Sequence, residues 1–135
     1  MIAETLFKVA KDLFGIFTKL DENRLKRTFR VADYFSDLAQ TIEDTSAYLK
    51  KGIYPHGECE ELRFYAEKMV STIGDLIGTK EAEDYAKKVL KVWEIERMHG
   101  ELISASPSKK KGKLQTLDEA AGYFRAVAAH LRVSS

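Results

Sequence analysis

The sequence predicts an all-α fold, an antiparallel up-and-down helical bundle of four long helices and one shorter C-terminal helix. Apolar residues recur at every third or fourth position along almost the whole chain, which is the period of an amphipathic helix. No stretch shows the apolar–polar alternation of a β-strand. Most segments between the periodic stretches are short, and short connections place neighbouring helices antiparallel. The chain has 135 residues, 44% of them hydrophobic, which suits a single domain over residues 1–135.

The first helix, predicted over 2–20, has an unusually wide apolar face. Two neighbouring stripes form it: Ile2, Leu6, Val9, Leu13, Ile16 and Leu20, and then Ala3, Phe7, Ala10, Phe14 and Phe17. Together they cover about half of the circumference, whereas packing on one side of a bundle needs an arc of roughly 100° or slightly more. This helix therefore either lies in the middle of the bundle or uses Phe7 and Phe14, at the far edge of the arc, to form a homodimer.

Three further long helices are predicted over 24–50, 58–77 and 80–103. Gly52 and Gly78 end the first two of these, since glycine readily adopts the left-handed conformation that follows a helix C-terminus. The segment between the second and third helices must be irregular, because its proline restricts the preceding residue to extended geometry. The periodicity of the fourth helix predicts six core residues: Ala82, Tyr85, Ala86, Val89, Val92 and Trp93.

The segment 104–115 is predicted to be a flexible loop. It combines serine, proline and glycine with four lysines between Lys109 and Lys113. Thr116 and Glu119 then have the spacing of a capping box, which predicts a shorter last helix up to about residue 132. Neither arginine nor aromatic residues are interleaved with the lysines, and the net charge of the chain is only +1. A solvated loop is therefore favoured over a nucleic-acid interface.

The two irregular connections, 51–57 and 104–116, fall at the same end of an antiparallel bundle. Functional residues are concentrated in irregular segments held by a rigid scaffold. This end also collects the three candidate binding residues, His56, Glu96 and His99. On the helical wheel Glu96 falls inside the apolar arc. It is therefore either buried and paired or, if the stripe drifts after Trp93, exposed at the edge.

No catalytic residue, metal ligand set or cofactor site is assigned from the sequence. Glu96 and His99 have the Glu-x-x-His spacing of di-iron bundles, but such a site needs two of these motifs and the chain has one. Cys59 could join His56 and His99 in a metal site, or form a nucleophilic pair with a histidine. It lies, however, on the apolar stripe of the third helix, which predicts a buried and inert thiol.

Charge distribution and cysteine content predict a soluble cytoplasmic protein without a membrane partner. Charged residues interrupt each apolar run near the N-terminus before the core of a secretory signal could form. No stretch reaches the ~20 apolar residues that cross a bilayer. The lone cysteine excludes an internal disulfide and fits a reducing compartment.

The stretch YLKKGIYPHGECEEL, residues 48–62, resembles a segment of small, uncharacterised all-helical bacterial domains, particularly of a cyanobacterial type. In those domains a helix is followed by a Pro-x-Gly-x-Cys-x-x-Leu turn and another helix. The matching residues are Pro55, Gly57, Cys59 and Leu62. The resemblance implies a structural corner at this turn and an interaction module related to signalling or conflict proteins. It implies no activity and no ligand.

The preferred interpretation is a non-enzymatic helical module that acts through protein–protein contact, with a second copy of the chain or another protein as its partner. The alternative is a metal- or thiol-dependent enzyme with its site at the end that carries the two irregular connections.

Overall fold

A computed structural model describes residues 2–26 and 28–134, which contain helices and no strands. The α-helices are α1 (Ile2–Thr18), α2 (Phe29–Lys50), α3 (His56–Ile77), α4 (Thr79–Val89), α5 (Glu94–Ser104) and α6 (Pro107–Ser134). Two 3₁₀ turns, Glu22–Leu25 and Lys91–Trp93, precede α2 and α5. The predicted all-α class is confirmed. Within the described residues, no helix combines the length and the apolar character needed to span a membrane.

Helix contacts form a closed circuit around the core. Helix α6 packs against both α1 and α2, α3 packs against α2 and α4, and α4 returns to α1. Ion pairs from Asp33 to Arg132 and from Lys50 to Asp118 join α2 to α6. At the centre, Phe35 has its ring centroid 5.7 Å from that of Phe17 and 5.9 Å from that of Phe124. Burying each such side chain contributes about 1.5–3 kcal/mol to stability, so these rings hold α1, α2 and α6 together.

The two glycine helix ends predicted from the sequence are present. Gly52 and Gly78 have φ values of 73° and 103°, which residues with a Cβ atom rarely adopt. Helix α2 starts later than predicted, at Phe29, because a 3₁₀ turn precedes it. Asp21 caps that turn by accepting a hydrogen bond from the Asn23 N–H at 3.1 Å.

The last helix differs from the prediction, since it is the longest helix and not the shortest. It has 28 residues and starts at Pro107, so only Ala105 and Ser106 lie between it and α5. The predicted loop over 104–115 is therefore wrong in its secondary structure. Proline is favourable in the first turn of a helix, because its missing N–H would have no partner there and its φ is already helical.

The predicted capping box is wrong for the same reason. Thr116 lies inside α6, and its hydroxyl donates to the Gly112 carbonyl one turn back at 3.1 Å. A threonine followed three residues later by glutamate starts a helix only where the preceding chain leaves helical geometry. Here the preceding lysines and glycine remain helical.

The fourth predicted helix is interrupted by the 3₁₀ turn between α4 and α5. Side chains three residues apart share a face in a 3₁₀ helix, so the turn places every third residue on the same side of the chain. The buried residues across it are Val89, Val92, Ile95 and Met98. Trp93, predicted to lie in the core, is instead 57% exposed. The 3₁₀ turn therefore corrects the predicted core in this region.

Candidate functional site

The turn between α2 and α3 positions most of the candidate residues. The Gly52 N–H donates to the Leu49 carbonyl at 3.1 Å, and the Ile53 N–H donates to the Tyr48 carbonyl at 3.0 Å. These two bonds form a Schellman motif, in which glycine takes the left-handed position after the helix. The chain then enters α3 through the buried Pro55.

Tyr54 lies at the centre of the predicted site. Its ring centroid is 4.4 Å from that of His56 and 5.6 Å from that of His99, both edge-on. The Cys59 thiol donates to the Tyr54 hydroxyl at 3.7 Å. With its proton on Nε2, His99 donates to the Gly52 carbonyl at 3.1 Å and so ties α5 to the turn. We call Tyr54, His56, Cys59 and His99 the Tyr54 cluster.

The structure brings two of the three candidate binding residues, His56 and His99, to the Tyr54 cluster. Glu96 is exposed on α5, whose buried stripe is Ile95, Met98 and Leu102. The apolar stripe therefore drifts away from Glu96, which was one of the two alternatives. The Glu96 carboxylate influences the cluster only electrostatically, by helping to raise the Tyr54 pKa. Tyr54 itself was not singled out by any sequence pattern.

Burial keeps both hydrogen-bonding groups at the centre of the cluster neutral. It raises the Tyr54 pKa to about 12, and the bond with the Cys59 thiol adds to the shift. Burial also raises the Cys59 pKa above its ordinary value of 9.0, although the Tyr54 hydroxyl opposes this shift. Cys59 as a whole is only 7% exposed, which confirms its predicted burial. A protonated, buried thiol is a weak nucleophile at neutral pH.

The arrangement of the Tyr54 cluster is that of a packed corner. The hydrogen-bond partner of the thiol is the Tyr54 hydroxyl, not an imidazole that could act as a base. Within residues 2–26 and 28–134, no three His, Cys, Asp or Glu side chains come close enough to hold a metal ion.

A groove beside this corner was not predicted. Seven residues line it: Lys50, Pro107, Lys110, Lys111, Leu114, Gln115 and Asp118. Its volume is ≈ 550 Å³, within the usual range of ligand-binding pockets. We call it the α6 groove. The lysine run pointed to this region, but a groove could be recognised only once the segment was known to be helical.

The α6 groove exists because α6 extends beyond the end of α2. Lys50, the last residue of α2, pairs with Asp118 at 3.2 Å, and α6 starts eleven residues before that point. At about 1.5 Å per residue, about 16 Å of α6 lies beyond the pairing. The Lys110 ammonium reaches back to the Lys50 carbonyl at 3.3 Å and so closes one edge of the groove.

The two residues predicted to form a homodimer interface pack within the chain. Phe7 and Phe14 contact the ring of Tyr123 on α6, with centroids 5.5 and 6.0 Å apart, and both are half-buried. A second, apolar groove of ≈ 460 Å³ runs beside Phe7 along α6, lined also by Glu119, Gly122, Tyr123 and Ala126. We call it the α1–α6 groove.

No family model, curated protein or solved structure matches the chain. The resemblance of residues 48–62 to small bacterial domains therefore stays a prediction. Functional inference rests on the geometry of the Tyr54 cluster and of the two grooves.

Proposed function

We propose that the protein is a non-enzymatic helical module that binds another protein, with the α6 groove as its docking surface. The observation that carries this proposal is the groove itself, open at the end where α6 extends beyond α2. The buried Leu114 gives it an apolar floor, the exposed Pro107 adds apolar surface at one end, and lysines, Gln115 and Asp118 give it a polar rim. An apolar centre within a polar rim is the usual composition of a protein–protein interface.

The proposal includes an antiparallel up-and-down bundle as the scaffold and the cytoplasm as the location. Pairings between neighbouring helices support this scaffold. The Thr41 hydroxyl donates to the Glu61 carboxylate at 2.8 Å, and the Tyr34 hydroxyl donates to the Tyr65 carbonyl. Higher numbers on α2 thus face lower numbers on α3, as in an antiparallel pair.

In this proposal the Tyr54 cluster is a structural support beside the groove. Its hydrogen bonds join α5 and α3 to the turn that follows Lys50, and Lys50 is part of the groove. The resemblance to interaction modules of bacterial signalling or conflict proteins fits the same function. The homodimer expected from Phe7 and Phe14 stays a prediction.

Site-specific photo-crosslinking in the source cells tests the proposal. A photoreactive residue at Gln115, on the groove, should trap one main protein, and purified samples of the two should then form a complex. The matched control is Glu83, an exposed position on α4 away from the groove. Equal crosslinking from both positions, or a captured protein that does not bind when purified, would contradict the proposal.

Elemental analysis separates this proposal from the enzyme alternative. The purified protein should contain no stoichiometric iron or zinc. A stoichiometric metal that is lost together with His56 or His99 would support the metal-dependent enzyme instead.

A further inference from the structure

We propose that the α6 groove recognises an acidic, amphipathic helix of a partner protein. The carboxylates of that helix would pair with the lysine rim, and one of its apolar side chains would occupy the floor. This inference rests on the proposed function and adds the chemistry of the partner.

The start of α6 contains an electrostatic conflict. The N-terminus of a helix carries a partial positive charge, so a nearby cation is unfavourable and a nearby anion is favourable. The first turn of α6 contains no acidic residue, and Lys109, Lys110 and Lys111 follow Ser108 directly. Rules of local stability are commonly broken at functional sites. A carboxylate-bearing partner would relieve this conflict.

The charges around the groove are predominantly positive. Three lysines and one aspartate line it, and that aspartate, Asp118, is paired with Lys50. Nearby, Lys113 is held by Glu101 at 2.7 Å, and Lys110 is bonded to the end of α2. The Lys111 ammonium group lines the groove and makes no hydrogen bond or ion pair with another side chain in the described part of the chain. An unpaired cation beside an apolar floor is complementary to an acidic, partly apolar ligand.

The composition of the groove lining favours a protein helix over a nucleic acid. The groove lining contains no arginine and no aromatic ring, the groups that bind phosphates in pairs and stack on bases. The stripe from Pro107 to Asp118 is about 16 Å long, which matches three turns of a partner helix with anchors at i, i+3 or i+4, and i+7.

The test uses fluorescein-labelled helical peptides of about five turns and measures fluorescence anisotropy. The acidic probe has leucines at i, i+4 and i+7 with glutamates on both flanks. Its twin has lysine in place of each glutamate, and a third peptide has serine in place of each leucine. We expect the acidic probe alone to bind, with an affinity that falls as salt rises.

Variants of the protein locate the binding. Lys111→Glu should weaken binding of the acidic probe at least about fivefold, because it reverses a charge on the rim. It should leave the thermal midpoint unchanged or higher, since a glutamate suits a helix N-terminus. Lys80→Glu, the same charge change at an exposed position in the first turn of α4, should leave binding unchanged.

Three results would overturn the inference. The first is equal binding of the acidic and basic peptides. The second is an equal loss of affinity for the acidic probe in Lys111→Glu and Lys80→Glu. The third is tighter binding of a single-stranded oligonucleotide or of phosphatidylglycerol vesicles with the same dependence on Lys111. If crosslinking at Gln115 still yields a protein that binds when purified, the proposed function stands and only the acidic chemistry of the partner fails.

Discussion

At the scale of single residues, Cys59 illustrates how burial determines chemistry. Its thiol lies on the apolar stripe of α3, donates to the Tyr54 hydroxyl and has a raised pKa because of burial. The thiolate is the reactive form, so a raised pKa and low exposure both slow its reaction. We expect labelling by a chromogenic disulfide reagent at neutral pH to be slow in the native protein and fast after unfolding in guanidinium chloride. Rapid stoichiometric labelling of the native protein would contradict this and favour a catalytic thiol.

Two glycines provide a matched pair of backbone predictions. Gly112 lies inside α6, where an added Cβ meets no atom within 4 Å, so Gly112→Ala should raise the free energy of unfolding by up to about 1 kcal/mol. Gly78 has the same free space but a φ of 103°. Gly78→Ala should therefore lower the free energy of unfolding by about 1–3 kcal/mol. Urea unfolding followed by circular dichroism measures both changes, and a loss of stability from Gly112→Ala would show that this segment is not helical in solution.

At the scale of helices, one side-chain pair joins α2 to α6 near the middle of both. Arg125 Nε and Nη2 donate to the two Glu43 carboxylate oxygens at 2.7 and 3.0 Å. The side chains are each 41% exposed, so solvent screening limits the coupling energy to roughly 0.5–1 kcal/mol. A double-mutant cycle with Glu43→Gln and Arg125→Gln, measured by urea unfolding, should give this value near pH 7.

The same pair predicts a dependence on pH. The hydrogen bond from Arg125 lowers the Glu43 pKa below its ordinary value of 4.5. A lowered pKa in the folded state contributes stability that is fully present above 4.5 and is lost as pH falls through the folded-state value. The coupling energy should therefore disappear on acidification. A cycle on Asp33 and Arg132, which share a single contact at 3.1 Å, should give a smaller coupling energy at neutral pH. A coupling energy that stays constant with pH would exclude Glu43 as the titrating group.

Also at this scale, the sequence predicts helices well where a local residue decides the geometry. Glycine fixes the end of α2 and of α3, so both ends could be placed from the sequence. The start of α6 was not placed from the sequence, because its serines, proline and Gly112 are typical of loops, and the buried leucines that hold the segment against the core act through tertiary contacts. Leu114 and Leu117, both buried, supply those contacts in the same region. The predicted burial of Trp93 was also wrong, because a short 3₁₀ turn changes the helical period and leaves no signal in the sequence.

At the scale of the whole molecule, the sequence named two residues that the structure places together but not the residue between them. The rings of His56 and His99 both contact the ring of Tyr54. The sequence did not indicate Tyr54, because a single tyrosine in a turn belongs to no pattern of residue spacing. The α6 groove arises from a difference in helix length between α2 and α6, and periodicity within one helix carries no information about where its neighbour ends.

The oligomeric state is the remaining property of the whole molecule that the structure makes testable. A homodimer is one of the two alternatives that the wide apolar face of α1 predicts. Phe7, Tyr123 and Ala126 line the α1–α6 groove, where a second copy would pack. Changing Phe7 or Phe14 would also remove ring contacts within the chain. Gly122→Gln is a sharper test, because its Cβ meets no atom within 4 Å while its side chain would occupy the groove.

We expect light scattering at micromolar concentration to report a dimer for the wild type and a monomer for Gly122→Gln. Glutamine is a better helix former than glycine, so the variant should not be less stable than the wild type. Gly100→Gln is the matched control, since Gly100 is also helical, exposed and free of atoms within 4 Å, but lies on α5. It should remain dimeric. A monomeric wild type would refute self-association at this concentration, whereas a dimer that persists in Gly122→Gln would place the interface on another face.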